Sequence, residues 1–133
     1  MIRSSFLCAG ACFAILLLIS FWSIADSVTI GGNDDLDGCP SLGLVSGFKS
    51  KRNGFLAVRT GPNAKYAILD KLNAGQKVFI CDTSKDGNWF GIVYSHRAID
   101  DCGVSSPINP ARPYKGKCKS GWVNARWIKV LAG

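Results

Sequence analysis

The chain has 133 residues, with 16 Lys and Arg against 9 acidic residues, a formal net charge of +7, and six cysteines. This length supports one domain, near the lower end of what a hydrophobic core alone stabilises. His96 is the only histidine and every acidic residue is Asp. Because few side chains are suited to proton transfer or nucleophilic attack, the composition argues against an enzyme.

Residues 1–25 have the three parts of a secretory signal peptide. Arg3 supplies the positive charge, residues 6–19 are apolar, and small residues precede a cleavage position after Ala25. The alternative is an uncleaved membrane anchor, because the apolar run continues a little beyond residue 19. We expect cleavage before Asp26, a periplasmic or secreted product, and no membrane span once the signal is removed.

The segment that follows, residues 26–41, is an acidic leader. Residues 26–37 contain four Asp and no base, whereas residues 38–133 carry a net charge of +10. Such a leader is either a solubilising tail or an arm that lies across a basic face. The sequence favours the tail.

Signal removal leaves 108 residues with a net charge of +6 and an even number of cysteines, namely Cys39, Cys81, Cys102 and Cys118. Four cysteines in a small exported chain indicate two disulfides, for which three connectivities exist. We expect Cys102–Cys118, which closes a ring of 17 residues worth about 3 kcal/mol. Cys39–Cys81 is then the second pair and ties the leader to a strand.

The rest of the chain alternates short stretches rich in Val, Ile and aromatic residues with turn residues. This pattern predicts an all-β fold, with strands at 42–48, 55–59, 68–72, 76–81, 89–94, 121–124 and 127–131. Residues 97–119 form a long, proline-containing loop that Cys102 and Cys118 bracket. Loops of this length are usually functional or disordered.

Five sequence pieces occur in an order that is similar to a known family. They are Leu56–Pro62, Tyr66 with Ile68 and Leu69, Leu72–Val78, Gly87–Val93 and Gly121–Val123, and Trp127-Ile128 follows them. The chain resembles the bacterial Src-homology-3-like (SH3b) family, with the resemblance covering residues 42–131. The resemblance implies a small, partly open SH3-like β-barrel of five to seven short strands and a short 3₁₀ turn at Trp127. Residues 42–133 would be this domain, with the loop 97–119 inserted where the family usually has a short turn.

Aromatic side chains interleaved with bases suit recognition of a peptide, a glycan or a polyanion. The competing interpretation is that about half of the aromatic residues fill the small core or cover its rim. The candidate ligand-binding residues are Tyr66, Trp89, Tyr94, Arg112, Tyr114 and Trp127. We expect no catalytic residue, no metal site and no cofactor, since an oxidising compartment pairs the thiols.

The sequence therefore predicts a non-catalytic exported binding module that docks on peptidoglycan or a cell-envelope protein. The alternative is a periplasmic inhibitor or immunity-type protein that binds its partner through the stapled loop. Nucleic acid is the least favoured partner, because the bases are spread along the chain rather than clustered. We expect a monomer.

Overall fold

The computed structural model describes residues 24–48, 54–97 and 100–133. The proposed signal peptide lies almost entirely outside these residues. Within them, no helix has the length and apolar composition needed to cross a membrane.

Nine strands and one 3₁₀ turn make up the described chain. They are β1 (Thr29–Ile30), β2 (Ser41–Val45), β3 (Leu56–Arg59), β4 (Ile68–Leu72), β5 (Lys77–Thr83), β6 (Trp89–Tyr94), β7 (Arg112–Pro113), β8 (Lys119–Asn124), the 3₁₀ turn Ala125–Trp127 and β9 (Ile128–Ala132). The predicted strands at 68–72 and 89–94 have the observed bounds. The 3₁₀ turn lies where the resemblance implied it.

Seven of the strands form one antiparallel sheet in the order β4-β3-β8-β6-β5-β2-β9. The sheet does not close, because β4 and β9 are its two edges. The all-β, partly open SH3-like fold is thus confirmed. Alternation along the strands turns Val58, Val78, Ile92 and Val123 towards the inner core, where they are almost fully buried.

The outer face of the same sheet carries a second core, which the sequence did not predict. Phe79 and Cys81 on β5 and Val93 on β6 alternate with the inner residues and meet Val104 and Ile108 of the insert. The outer face of β5 and β6 is therefore covered where the insert packs on it. This explains why Val93, which points away from the inner core, is completely buried.

The leader and the insert together form the layer over this outer face, which we call the cover (residues 26–40 and 100–118). β1 of the leader pairs antiparallel with β7 of the insert. Backbone hydrogen bonds continue the contact, from Gly32 to Ile108 and from Cys39 to Val104.

The tail interpretation of residues 26–41 is therefore wrong. Val28, Ile30 and Cys39 are buried, while the acidic residues between them are exposed. The apolar residues of the segment bury enough surface to fix it in place. Net charge alone did not show that this segment also contains apolar residues that become buried.

Two disulfides hold the cover. Cys39 is bonded to Cys81 on β5, which fastens the leader to the sheet, and Cys102 is bonded to Cys118, which closes the insert. These are the two pairs that the sequence analysis expected.

Candidate functional site

A groove of about 440 Å³ lies where the cover ends and the outer face of the sheet becomes accessible. Leu42 on β2 and Phe79 on β5 form its floor, and they are direct cross-strand partners. Because directly opposite residues point to the same face of a sheet, these two side chains form one apolar surface.

Basic side chains line the rim of this groove. Lys77 lies two residues before Phe79 on β5, so alternation places both on the outer face. His96 and Arg97 follow the end of β6. Lys77 and Arg97 are exposed. The rim is therefore positive above an apolar floor.

Asp100 is the acidic residue among the described residues of the groove, and its carboxylate contacts other groups of the insert. Its carboxylate accepts a hydrogen bond of 2.9 Å from the backbone of Cys102 and lies 3.2 Å from Lys117 Nζ. The hydrogen bond from Cys102 is the main reason that the pKa of Asp100 lies below its usual range, and Lys117 lowers it further. The neighbouring Asp101 accepts from the backbone of Gly103, so both aspartates stabilise this turn.

A polar cluster fixes the end of the groove at His96. One carboxylate oxygen of Asp70, on β4, accepts from Tyr94 Oη at 2.8 Å, and His96 Nε2 lies 2.8 Å from the same atom. Lys119 Nζ is 3.4 Å away. Burial opposes the charge of Asp70, but the hydrogen bonds from His96 and Tyr94 outweigh it and hold the pKa of Asp70 well below its usual range.

Tyr94 was expected among the surface residues, and this expectation is wrong. Its side chain is 1% exposed because it lies two residues after Ile92 on β6 and shares the inner face. Tyr94 is among the residues that line the groove, and its hydroxyl is bonded to Asp70. Burial and the Asp70 carboxylate raise the pKa of Tyr94 well above its usual range. Tyr94 therefore supports the groove from beneath.

Two other candidate residues meet in a separate hollow of about 500 Å³ on the insert. Arg112 is exposed there, beside the lysines Lys115 and Lys117. Tyr114 is half-buried, donates to the carbonyl of Cys102 and accepts from the backbone of Cys118. Tyr114 thus braces the stapled loop, and the bases provide the accessible surface of the hollow.

The remaining three candidates, Tyr66, Trp89 and Trp127, line neither the groove nor the hollow among the described residues. All three are half-buried. Trp127 packs on Phe48 at 5.4 Å between ring centroids, with Arg126 over its ring.

Tyr66 covers Gly61, where a Cβ atom would lie within 2.4 Å of the tyrosine ring. Its carbonyl oxygen accepts a 2.9 Å hydrogen bond from Arg59. Gly61 thus permits a close approach of this ring to the backbone, which gives Tyr66 a packing role.

One group of potential metal ligands occurs among the described residues, formed by Asp100, Cys102 and Cys118. The two sulfur atoms are bonded to each other. A disulfide offers no thiolate, so the chemistry of this donor set does not suit a metal ion.

Sequence reasoning missed the groove because its described residues come from three distant segments: Leu42, Gly75 to Phe79, and Tyr94 to Arg97 with Asp100. The one available signal was the run Lys77-Val78-Phe79, in which a base and an aromatic residue flank a core valine. Nothing in the sequence indicated that Asp70 is the partner of His96, because the two lie 26 positions apart.

Comparison with family models gives one match, to the bacterial SH3 domain, over residues 54–129. The match spans β3 to the first residues of β9, together with the insert. Comparisons with curated proteins and with solved structures give no significant match. The order of the strands, the open sheet and this match over more than half of the chain lead to one conclusion: the chain belongs to the bacterial SH3 domain family, which consists generally of binding modules.

Proposed function

We propose that this protein is a non-catalytic exported module that docks on peptidoglycan or a cell-envelope protein, using the groove beside the cover. The observation that carries the proposal is the combination of an apolar floor, Leu42 and Phe79, with a positive rim formed by Lys77 and Arg97. Sites for small ligands commonly combine an apolar lining with a few convergent polar groups.

Charge supports an anionic partner. Residues 38–133 carry a net charge of +10, which raises the local concentration of negatively charged partners near the surface. The two acidic residues near the groove do not oppose this, because Asp100 is paired with Lys117 and Asp70 with His96 and Lys119.

Export is supported by two features. The two disulfides fit an extracellular or periplasmic location. In addition, Asp26 directly follows the predicted cleavage position, and its backbone is bonded to Thr60 and Trp122, whereas Ile24 is 86% exposed. The fold therefore begins to hold the chain at the residue that cleavage would leave first.

No reaction is assigned to the groove. His96 is hydrogen-bonded to Asp70, and the described residues that line the groove include no cysteine thiol. The hydroxyl of Ser95 accepts a hydrogen bond from the backbone of Arg97, and the hydroxyl of Tyr94 donates to Asp70.

Co-sedimentation of the exported, signal-free protein with purified peptidoglycan tests the proposal, together with a pull-down from a detergent extract of the envelope. Retention on either material that weakens as salt is raised is the expected result. An empty pull-down combined with no retention at low salt would rule the proposal out.

A second candidate function is inhibition of a partner protein through the stapled insert. The observation that favours it is that the insert is fixed at two places. Its strand β7 pairs with β1 of the leader, and a disulfide closes the loop. A pre-organised loop loses little entropy on binding. Arg112→Ala and Lys115→Ala would then abolish partner binding, while Lys77→Gln would leave it unchanged.

A further inference from the structure

The groove combines features that select a particular ligand chemistry within the proposed docking function. We infer that it binds the free carboxylate of a short peptide, with the adjoining small apolar side chain resting on Leu42 and Phe79. This inference rests on the proposed function and narrows it to one chemical class.

The floor determines where an apolar side chain would lie. Leu42 and Phe79 are each half-buried, so each keeps accessible surface although the cover packs against Phe79 from one side. Burial of this surface by a ligand is favourable in proportion to its apolar area. The groove volume of about 440 Å³ lies within the range typical of sites for small ligands.

The rim determines the charge of the ligand. Among the described residues, no carboxylate lies within 4.0 Å of a nitrogen atom of Lys77 or Arg97. A guanidinium group binds a carboxylate with two parallel hydrogen bonds, and an ammonium group adds a second positive charge. An incoming carboxylate would therefore meet two cations that form no ion pair within 4.0 Å in the described chain.

Asp100, the acidic residue among the described groove residues, is outnumbered by cations. One oxygen of its carboxylate is bonded to the backbone of Cys102 and lies 3.2 Å from Lys117, and Arg97 also attracts this carboxylate. Lys77, Arg97 and Lys117 together carry more positive charge than this one carboxylate offsets, so the groove favours an anion over a cation of the same size.

The test uses the exported protein, labelled with ¹⁵N, and two probes that differ in one group: acetyl-Ala-Ala-Ala with a free carboxylate, and the same peptide as its amide. We expect the carboxylate to bind at least about tenfold more tightly. The chemical-shift changes that the carboxylate peptide causes should be centred on Lys77 to Phe79 and Ser95 to Arg97. Equal affinity of the two peptides would overturn the inference, as would shift changes centred on the hollow at Arg112 to Lys117.

Matched charge variants separate the site from general electrostatic attraction. Lys77→Gln and Arg97→Gln should each weaken binding of the carboxylate by about fivefold or more. Lys85→Gln, which removes one charge outside the groove, should keep the affinity for the carboxylate peptide within about twofold of the wild type. Equal losses in all three variants would contradict the assignment, and their ¹⁵N spectra show directly whether each remains folded.

The result also separates this inference from the docking proposal. If neither peptide binds but peptidoglycan or an envelope protein still retains the wild type, the peptide-carboxylate inference is wrong and the docking proposal stands. If nothing is retained, both are wrong.

Discussion

The indole nitrogen of Trp122, on a central strand of the sheet, donates a hydrogen bond of 2.7 Å to the backbone carbonyl oxygen of Asp26. Trp122 is 3% exposed, so the start of the leader covers it. Further along the leader, Val28 lies next to Gly91, and Cys39 forms the disulfide with Cys81. The first residues after the proposed signal therefore belong to the folded domain.

This relationship predicts the amino terminus of the exported protein. Cleavage before Asp26 leaves its backbone nitrogen next to the carbonyl oxygen of Thr60, at 2.9 Å, where an α-ammonium group would be stabilised. Intact-mass measurement of the protein purified from the periplasm or the medium should give a chain that begins at Asp26. A chain that begins after Val28 would lack these contacts and contradict the account.

A pair of glycine variants tests the contact between leader and insert. Gly31 and Gly75 both have positive φ, +74° and +91°, so alanine strains the backbone at either position. At Gly31 the added Cβ would also collide with the carbonyl oxygen of Ile108, whereas at Gly75 nothing lies within 4 Å. Gly31→Ala should therefore lower the free energy of unfolding by about 2 kcal/mol more than Gly75→Ala.

Urea unfolding of the two glycine variants measures this difference. Equal destabilisation would mean that the leader does not pack on Ile108 in solution. It would also remove the physical basis for the cover.

The two disulfides should contribute unequally to stability. Cys39–Cys81 closes the longer ring, with a sequence separation of 42 against 16 for Cys102–Cys118. On the chain-entropy model the longer ring contributes about 4 kcal/mol and the shorter about 3 kcal/mol. Replacing both cysteines of one pair by alanine and measuring urea unfolding should give the larger loss for the Cys39 and Cys81 pair. The opposite order would show that the leader contributes less to the fold than its contacts imply.

The Asp70 cluster predicts a dependence of stability on pH. The pKa of Asp70 is lower in the folded state than in the unfolded chain, so its contribution is present above the unfolded value, near 4, and is lost as the pH falls through the folded value. Acid should therefore destabilise the wild type more steeply than Asp70→Asn between about pH 5 and pH 2. Tyr94→Phe should show an intermediate slope, because one of the hydrogen bonds to Asp70 is lost.

Unfolding curves at several pH values measure these slopes. Lys119→Gln is the matched control, since its 3.4 Å contact is exposed and exposed ion pairs contribute little. Identical slopes for the wild type and Asp70→Asn would contradict the assigned cluster.

Much of the barrel could be predicted from the sequence because its signals are local. The strand at Trp89–Tyr94 follows a turn, and the segment Gln76–Cys81 alternates core residues with outward ones. The same alternation could have corrected the expectation for Tyr94, which lies two residues after Ile92. The disulfide pairs followed from ring size.

The cover and the groove could not be predicted in this way because they depend on contacts between distant segments. Net charge made residues 26–37 look like a tail, although Val28 and Ile30 alternate as in a strand. The groove forms where the start of the insert, at Arg97 and Asp100, lies beside Lys77 and Phe79. No local pattern encodes where two separate segments stop covering a sheet.

The central claim is that the groove, rather than the overall positive charge, binds the envelope partner. The most direct measurement compares retention on purified peptidoglycan, and on captured envelope proteins, of the wild type, Lys77→Gln/Arg97→Gln and Lys65→Gln/Lys85→Gln. Both double variants remove two exposed positive charges, but only the first pair lines the groove. We expect the first variant to lose about nine-tenths of the retained protein and the second to stay within about twofold of the wild type. Equal retention by the two double variants would show that the groove is not where the partner binds.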